Sequence, residues 1–249
     1  MTLVQSEPKK IYIWVDVQPI TTAWIYHNSE LWLISLSSDW ANWLTIADKN
    51  LWATQVWNEW DTLSEANCGK FYQWWNNYWF PFDWTFNKSS TKPNASWYVS
   101  NYSNSTFITT ASSDTTKDWS STTNNNLWWW EWTTTQRKWP CATWFHIPTN
   151  TELNVFRTLA SMIWWNISNY IKMPVHRYIT YSWAYMDTYQ EYYFWTSSTD
   201  ANPSLSWVYN VYVFTWTAWT SSIFKTGWHL IRPFKNEAVQ PDTSRTKLY

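Results

Sequence analysis

Glycine occurs only twice in this chain, at Gly69 and Gly227, while tryptophan occurs 28 times. Ordinary usage of about 7% would place roughly 17 glycines in a chain of 249 residues. The shortage constrains the fold directly. Tight turns need backbone at positive φ, which glycine reaches without steric cost and a residue bearing a Cβ does not. A strand-rich fold cannot turn its corners on two glycines unless other residues accept strain.

The tryptophans stand where turns are expected. In "NNNLWWWEWTTTQRKWPCATWFHIP" (124–148), Trp139 precedes Pro140 and Trp144 falls in a turn-like setting. Asp39-Trp40 and Asp83-Trp84 lie between hydrophobic segments; with glycine in place of tryptophan both become Asp-Gly, a strong hairpin signal. In the same way Glu59-Trp60-Asp61 becomes Glu-Gly-Asp, and Gly227-Trp228 becomes a Gly-Gly pair. Three readings compete: an aromatic binding surface, a tryptophan-packed core, and glycines written as tryptophans. The turn contexts favour the third. The codon UGA is read as glycine in some uncultured bacterial lineages and as tryptophan in another variant code, so translation with the wrong table would give this pattern. True tryptophans are then expected beside strand-like or aromatic residues, at Trp43, Trp57, Trp74, Trp119, Trp128 and Trp195.

Charge narrows the partners. The net charge is −1, and no basic stripe marks a nucleic-acid partner. No apolar run approaches the roughly 18 residues of a membrane helix, so membrane insertion is not expected. "MTLVQSEPKK" lacks the apolar region of a secretory signal. Abundant Ser, Thr, Asn and Tyr with few charges suits an extracellular or cell-surface domain, expected here as a fragment lacking its signal peptide.

Along the chain, "IYIWVDVQPI" (11–20) alternates as a strand does, and 23–39 reads as two short strands about a turn at His27–Glu30. A further turn is expected at 37–42, and the strand pattern then continues from 43 into a loop. Residues 68–82 form an aromatic segment closed by proline. Between Thr85 and Asn126, 26 of 42 residues are Ser, Thr or Asn, which marks a loop insertion. One helix is clear over about 150–163. Thr149 caps it with Glu152 completing a capping box, and Leu153, Phe156, Ala160 and Ile163 form one apolar stripe. That stripe needs a partner surface, most simply a sheet. After Pro174 the pattern returns to strands. "VYNVYVF" (208–214) carries apolar residues on both faces, as a central strand does. The expected organisation is a linker or edge strand at 1–18, one α+β domain at 19–236 with 85–126 inserted, and a polar linker at 237–249.

With glycines restored, five segments resemble one family. They are "IADKNLWAT" (46–54), "YQWWNNYWFPF" (72–82), "KWPCATWFHIPTNTEL" (138–153), "YYFWTSST" (192–199) and "GWHLIRPFK" (227–235). Their order and spacing resemble the Fibrobacter succinogenes major paralogous domain, a large family of repeated bacterial surface modules, over roughly residues 24–236. The family carries glycine where this chain has Trp75, Trp79, Trp139, Trp144 and Trp228. The resemblance implies a C-type-lectin-like fold, with short twisted antiparallel strands, one clear helix and long irregular loops, akin to formylglycine-generating enzymes. It also implies an exported protein that carries several modules.

Candidate chemistry is sparse. Cys68 and Cys141, an even pair in a surface-type domain, suggest a disulfide, against the alternative of two buried free thiols. The bond would close about 73 residues and contribute about 4 kcal/mol in the chain-entropy model. His27, His146, His176 and His229 share no metal-ligand spacing, and His146 in "FHIP" reads as structural. No Gly-x-Ser-x-Gly elbow appears, and the paired late cysteines of formylglycine-generating enzymes are missing. No cofactor or metal motif is present; a calcium site assembled from separate loops, as in true lectins, stays open. Arg232, inside an apolar closing strand, should sit in a structural ion pair. The stretch 181–216 is dense in Tyr, Trp, Ser, Thr and Asn. Tyr189, Tyr192, Tyr193, Trp195, Tyr209, Asn210 and Tyr212 could form a tyrosine-rich recognition face, about half of it being core instead. The expected function is a non-catalytic surface binding or adhesion module for a glycan or protein ligand, working beside other modules of its own chain. A structural spacer module is the alternative, and an enzyme of the formylglycine-generating fold group comes third.

Overall fold

The computed structural model describes residues 11–15, 23–29, 31–39, 41–58, 61–73, 76, 78–83, 85–93, 105–110, 121, 141–142, 144–163, 170–174, 178–179, 185–186, 207–213, 218–224 and 227–238. Among them the N-terminal third builds an antiparallel meander: β1 (Ile11–Val15), β2 (Ala23–Asn28), β3 (Leu33–Ser37) and β4 (Leu44–Ala47). Two late-joining strands, β9 (Phe145–His146) and β15 (Phe234–Lys235), complete a six-stranded sheet in the order β1-β2-β3-β4-β15-β9. β1 lies at its edge, and β2 runs on through His27 and Asn28, so the chain reverses between Asn28 and Leu33, later than the turn expected at His27–Glu30. The turn after β3 is held by Asp39, whose carboxylate accepts from the backbone N–H groups of Ala41 and Asn42 and from the Asn42 side chain. The Asn42 backbone bond is the largest of the effects that bring the Asp39 carboxyl down to about 2.

β3 is buried on both faces along its whole length. Its Leu33, Ile34 and Leu36 are apolar, while Ser35 and Ser37 are small enough to fit beneath neighbours, and the Ser35 hydroxyl meets Thr45 Oγ1 at 2.8 Å. The sequence pattern had suggested that role for residues 208–214. There, β12 (Trp207–Val213) pairs only with β13 (Ala218–Phe224) among the described residues, as a two-stranded ribbon. Apolar residues on both faces of a strand therefore did not require sheet neighbours on both sides.

The helix α2 (Asn150–Met162) forms as its cap and stripe predict. Thr149 Oγ1 accepts the Glu152 N–H at 3.2 Å and Glu152 Oε2 accepts the Thr149 N–H at 2.8 Å. Leu153, Phe156, Ala160 and Ile163 are all buried, together with Leu159. They meet Ile25, Ile34, Leu36, Ile46 and Phe234 of the large sheet, and Val211 and Ala218 of the ribbon. One amphipathic helix thus joins two sheets, which is where the principal core sits.

A second sheet, in the order β11-β10-β14-β5-β6, contains β5 (Phe71–Gln73), β6 (Trp79–Phe80), β10 (Tyr178–Ile179), β11 (Tyr185–Met186) and β14 (Trp228–Leu230). It follows the short helix α1 (Glu65–Cys68). Its core is aromatic: Phe80 meets Phe107 and Phe86 edge-on at 5.4 and 5.2 Å, with Cys68, Phe71 and Leu230 alongside. The Ser/Thr/Asn-rich stretch returns to this core. β7 (Asn87–Ser89) pairs in parallel with β8 (Thr106–Ile108), Phe107 and Ile108 are buried, and the Gln73 side chain bonds both the N–H and the C=O of Ile108. The fold is therefore α+β, made of small, mostly antiparallel sheets and two helices among the described residues. No helix among them is long and apolar enough to cross a membrane.

Candidate functional site

The largest fully buried side chain among the described residues is Arg232, which lies between β14 and β15. Its Nε donates to Asn50 Oδ1 at 2.9 Å, one terminal nitrogen to the Ala47 carbonyl at 2.8 Å, and the other to the Lys172 carbonyl at 2.7 Å. Burial brings the guanidinium down to about 9, and the charge of the buried Asp48 opposes that fall. The expected ion pair is thus a longer-range compensation. Carbonyl and amide oxygens make the direct contacts, and a planar fork of five donors can satisfy several of them at once. Arg232 ties the end of β4, the turn after it and the segment following α2 into one unit.

Asp48 also accepts from, or shares a proton with, the partly exposed His27 at 3.0 Å. A buried carboxylate holding an imidazole is the orienting half of a nucleophile-and-base arrangement. Among the described residues no hydroxyl or thiol is hydrogen-bonded to His27. Nothing in the sequence links residues 27 and 48. The juxtaposition comes from register, because His27 faces Ile34 across β2–β3 and Ile34 faces Ile46 across β3–β4.

His146 is buried, as a structural histidine should be. Its Nε2 lies 2.8 Å from Glu152 Oε1, and its Nδ1 lies 2.9 Å from Asn236 Oδ1. Burial penalises the Glu152 charge, but the His146 and Thr149 bonds outweigh it and hold that carboxyl below its ordinary value. The cap of α2, β9 and the end of β15 are thereby clasped together, and both candidate acid–base groups are occupied by that task.

Both cysteines are free and buried, so the expected Cys68–Cys141 disulfide is not formed. Cys68 packs with Phe71 on one face of β5. Cys141 is close enough to act electrostatically on the hydroxyl of Tyr72, the next residue, whose side chain points to the other face. Burial pushes the Cys68 thiol up to about 12 and raises that of Cys141 as well, so both are held protonated and unreactive.

Of the proposed recognition residues, Tyr189, Tyr192, Tyr193 and Trp195 lie outside the described residues, as do His176 and residues 94–104. Tyr209, Asn210 and Tyr212 lie on β12, opposite Ser222, Ser221 and Trp219 of β13. Alternation divides them. Tyr209 shares a row with Val211, which is buried against α2 together with Ala218. Asn210 and Tyr212 belong to the other row, with Trp219, which is 55% exposed. Among the described residues no three His, Cys, Asp or Glu side chains gather as a metal site. Comparison with protein-family models, with curated proteins and with solved structures finds no match to this chain.

Proposed function

We propose that this chain is a non-catalytic binding module of a bacterial cell surface, with a C-type-lectin-like fold and a glycan or protein ligand. The observation that carries the reading is the outer row of the β12–β13 ribbon. In the register of that ribbon Asn210 and Tyr212 stand in the same row as the exposed Trp219, the row alternating with that of the buried Val211 and Ala218. Rigid aromatic rings with an adjacent amide supply contact area at low entropic cost and directional hydrogen bonds, the chemistry common to tyrosine-rich recognition surfaces. The groups that suggest catalysis support the same reading from the other side. Arg232, His146 and Glu152 are spent on holding elements together, and the two thiols are buried and protonated.

The test is a glycan and protein array probed with the chain and with an Asn210→Ala/Tyr212→Ala variant. A ligand retained by the chain and lost by the variant, with circular dichroism unchanged, is the expected result. Silence of the chain across the array, or retention by the variant, would refute the assignment of this face.

A further inference from the structure

Among the described residues, four turns outside the helices are closed by a hydrogen bond from the N–H of the fourth residue to the carbonyl of the first. They run Asn50–Ala53, Asn58–Asp61, Gln73–Asn76 and Ala142–Phe145, with N···O distances of 2.8–3.0 Å. The third residue of every one is tryptophan: Trp52, Trp60, Trp75 and Trp144. Tryptophan is 28 of 249 residues, too few for composition to fill all four positions. Two of the four, Trp52 and Trp144, are described, and both have positive φ, 69° and 73°. Positive φ at the third residue belongs to turn types that favour glycine there.

Among the described residues four non-glycine positions have positive φ. They are these two, Trp32 at 57° in the β2–β3 loop, and Lys172. Neighbouring backbone dictates the conformation at the tryptophans. The Trp32 carbonyl accepts from Asp48 N–H and the Trp144 carbonyl from Asn236 N–H, each at 2.9 Å, and Leu51 is held at both ends, by the Ile231 carbonyl and the Lys70 N–H. Two of the indoles have partners, Trp52 Nε1 donating to the Tyr72 hydroxyl at 2.5 Å and Lys49 Nζ lying 3.6 Å from the Trp32 ring centroid, yet about half of each residue stays exposed. The indoles of Trp32, Trp52 and Trp144 are 48%, 54% and 64% exposed, whereas Trp43 and Trp57 are buried. A genuine glycine shows the same pattern in full: Gly69 has φ 80°, and a Cβ there would lie 2.3 Å from the Leu51 carbonyl oxygen.

We infer that positions 32, 52, 60, 75 and 144 are glycine positions, encoded by a codon that the source organism reads as glycine, while Trp43 and Trp57 are true tryptophans. Trp32, Trp52 and Trp144 are then removed from any list of ligand-contacting aromatics, and the surface they cover is open backbone in the native protein. The coding DNA and tandem mass spectrometry of peptides from the source organism test this independently of any ligand. The expected result is UGA at the five turn positions, with peptides lighter by the difference between a tryptophan and a glycine residue at each, and UGG at 43 and 57 with unshifted peptides. UGG codons or tryptophan-containing peptides at 52 or 144 would overturn the inference.

Discussion

Position 144 allows the backbone demand to be measured apart from everything else. Replacing Trp144 alone confounds two effects, because about a third of the indole is covered. That covered area, out of roughly 200 Å² for a tryptophan, corresponds to up to about 2 kcal/mol. The useful comparison is therefore Trp144→Gly against Trp144→Ala, since both lose the indole equally. What remains is the Cβ. At φ 73° a Cβ costs about 1–2 kcal/mol, while glycine costs about 0.5–1 kcal/mol in lost unfolded-state freedom. Glycine should win by about 0.5–1 kcal/mol, a Tm difference of about 2 °C in a chain of this size. The same pair at Trp219, exposed in the regular strand β13 and free of positive φ, supplies the opposite sign. There alanine should win by about 0.5–1 kcal/mol. Urea unfolding of the four variants, with m-values compared to confirm a common unfolding reaction, gives both differences. If Trp144→Ala equals or exceeds Trp144→Gly in stability, the turn does not demand glycine and the strain reasoning fails.

Arg232→Met should destabilise by about 3 kcal/mol or more, because Asp48 and several carbonyls lose their buried partner; Arg232→Lys should recover little, since an ammonium cannot reproduce the fork. A urea midpoint unchanged in Arg232→Met would show the network to be dispensable. Glu152, held below its ordinary value of 4.5, contributes stability that is present above that value and lost as the pH falls through the lower, folded one. Glu152→Gln should flatten that acidic limb of the stability–pH curve, and an identical limb in both proteins would place the effect elsewhere. Both thiols should resist alkylation in the native chain and react in denaturant without reductant. A mass two protons lower, restored by reductant, would instead establish the disulfide.

The elements legible in the sequence were those specified by neighbours along the chain. The α2 cap needs only Thr149 and Glu152 three residues apart, and its stripe needs only helical spacing, so both emerged in place. The first meander likewise follows from alternation and turn residues within about 40 positions. At Trp144 the glycine demand was visible as well, because the residues around it read as a turn; Trp40, Trp84 and Trp139 lie outside the described residues.

Tertiary structure decided what depends on register and on which face a residue occupies. Cys68 and Cys141 look like partners by number alone, yet both are free and buried in the fold. Tyr209 and Tyr212 look equivalent, yet one shares the row of Val211 against α2 and the other the outer row. His27, Asp48 and Arg232 are gathered by three strands that meet only in the folded chain. Trp52 carried no local turn signature; its positive φ became evident only from the hydrogen bonds that close the Asn50–Ala53 turn and clamp Leu51 from both sides. Local chemistry can state that a turn needs glycine, but the φ angle itself is imposed by contacts from distant parts of the chain.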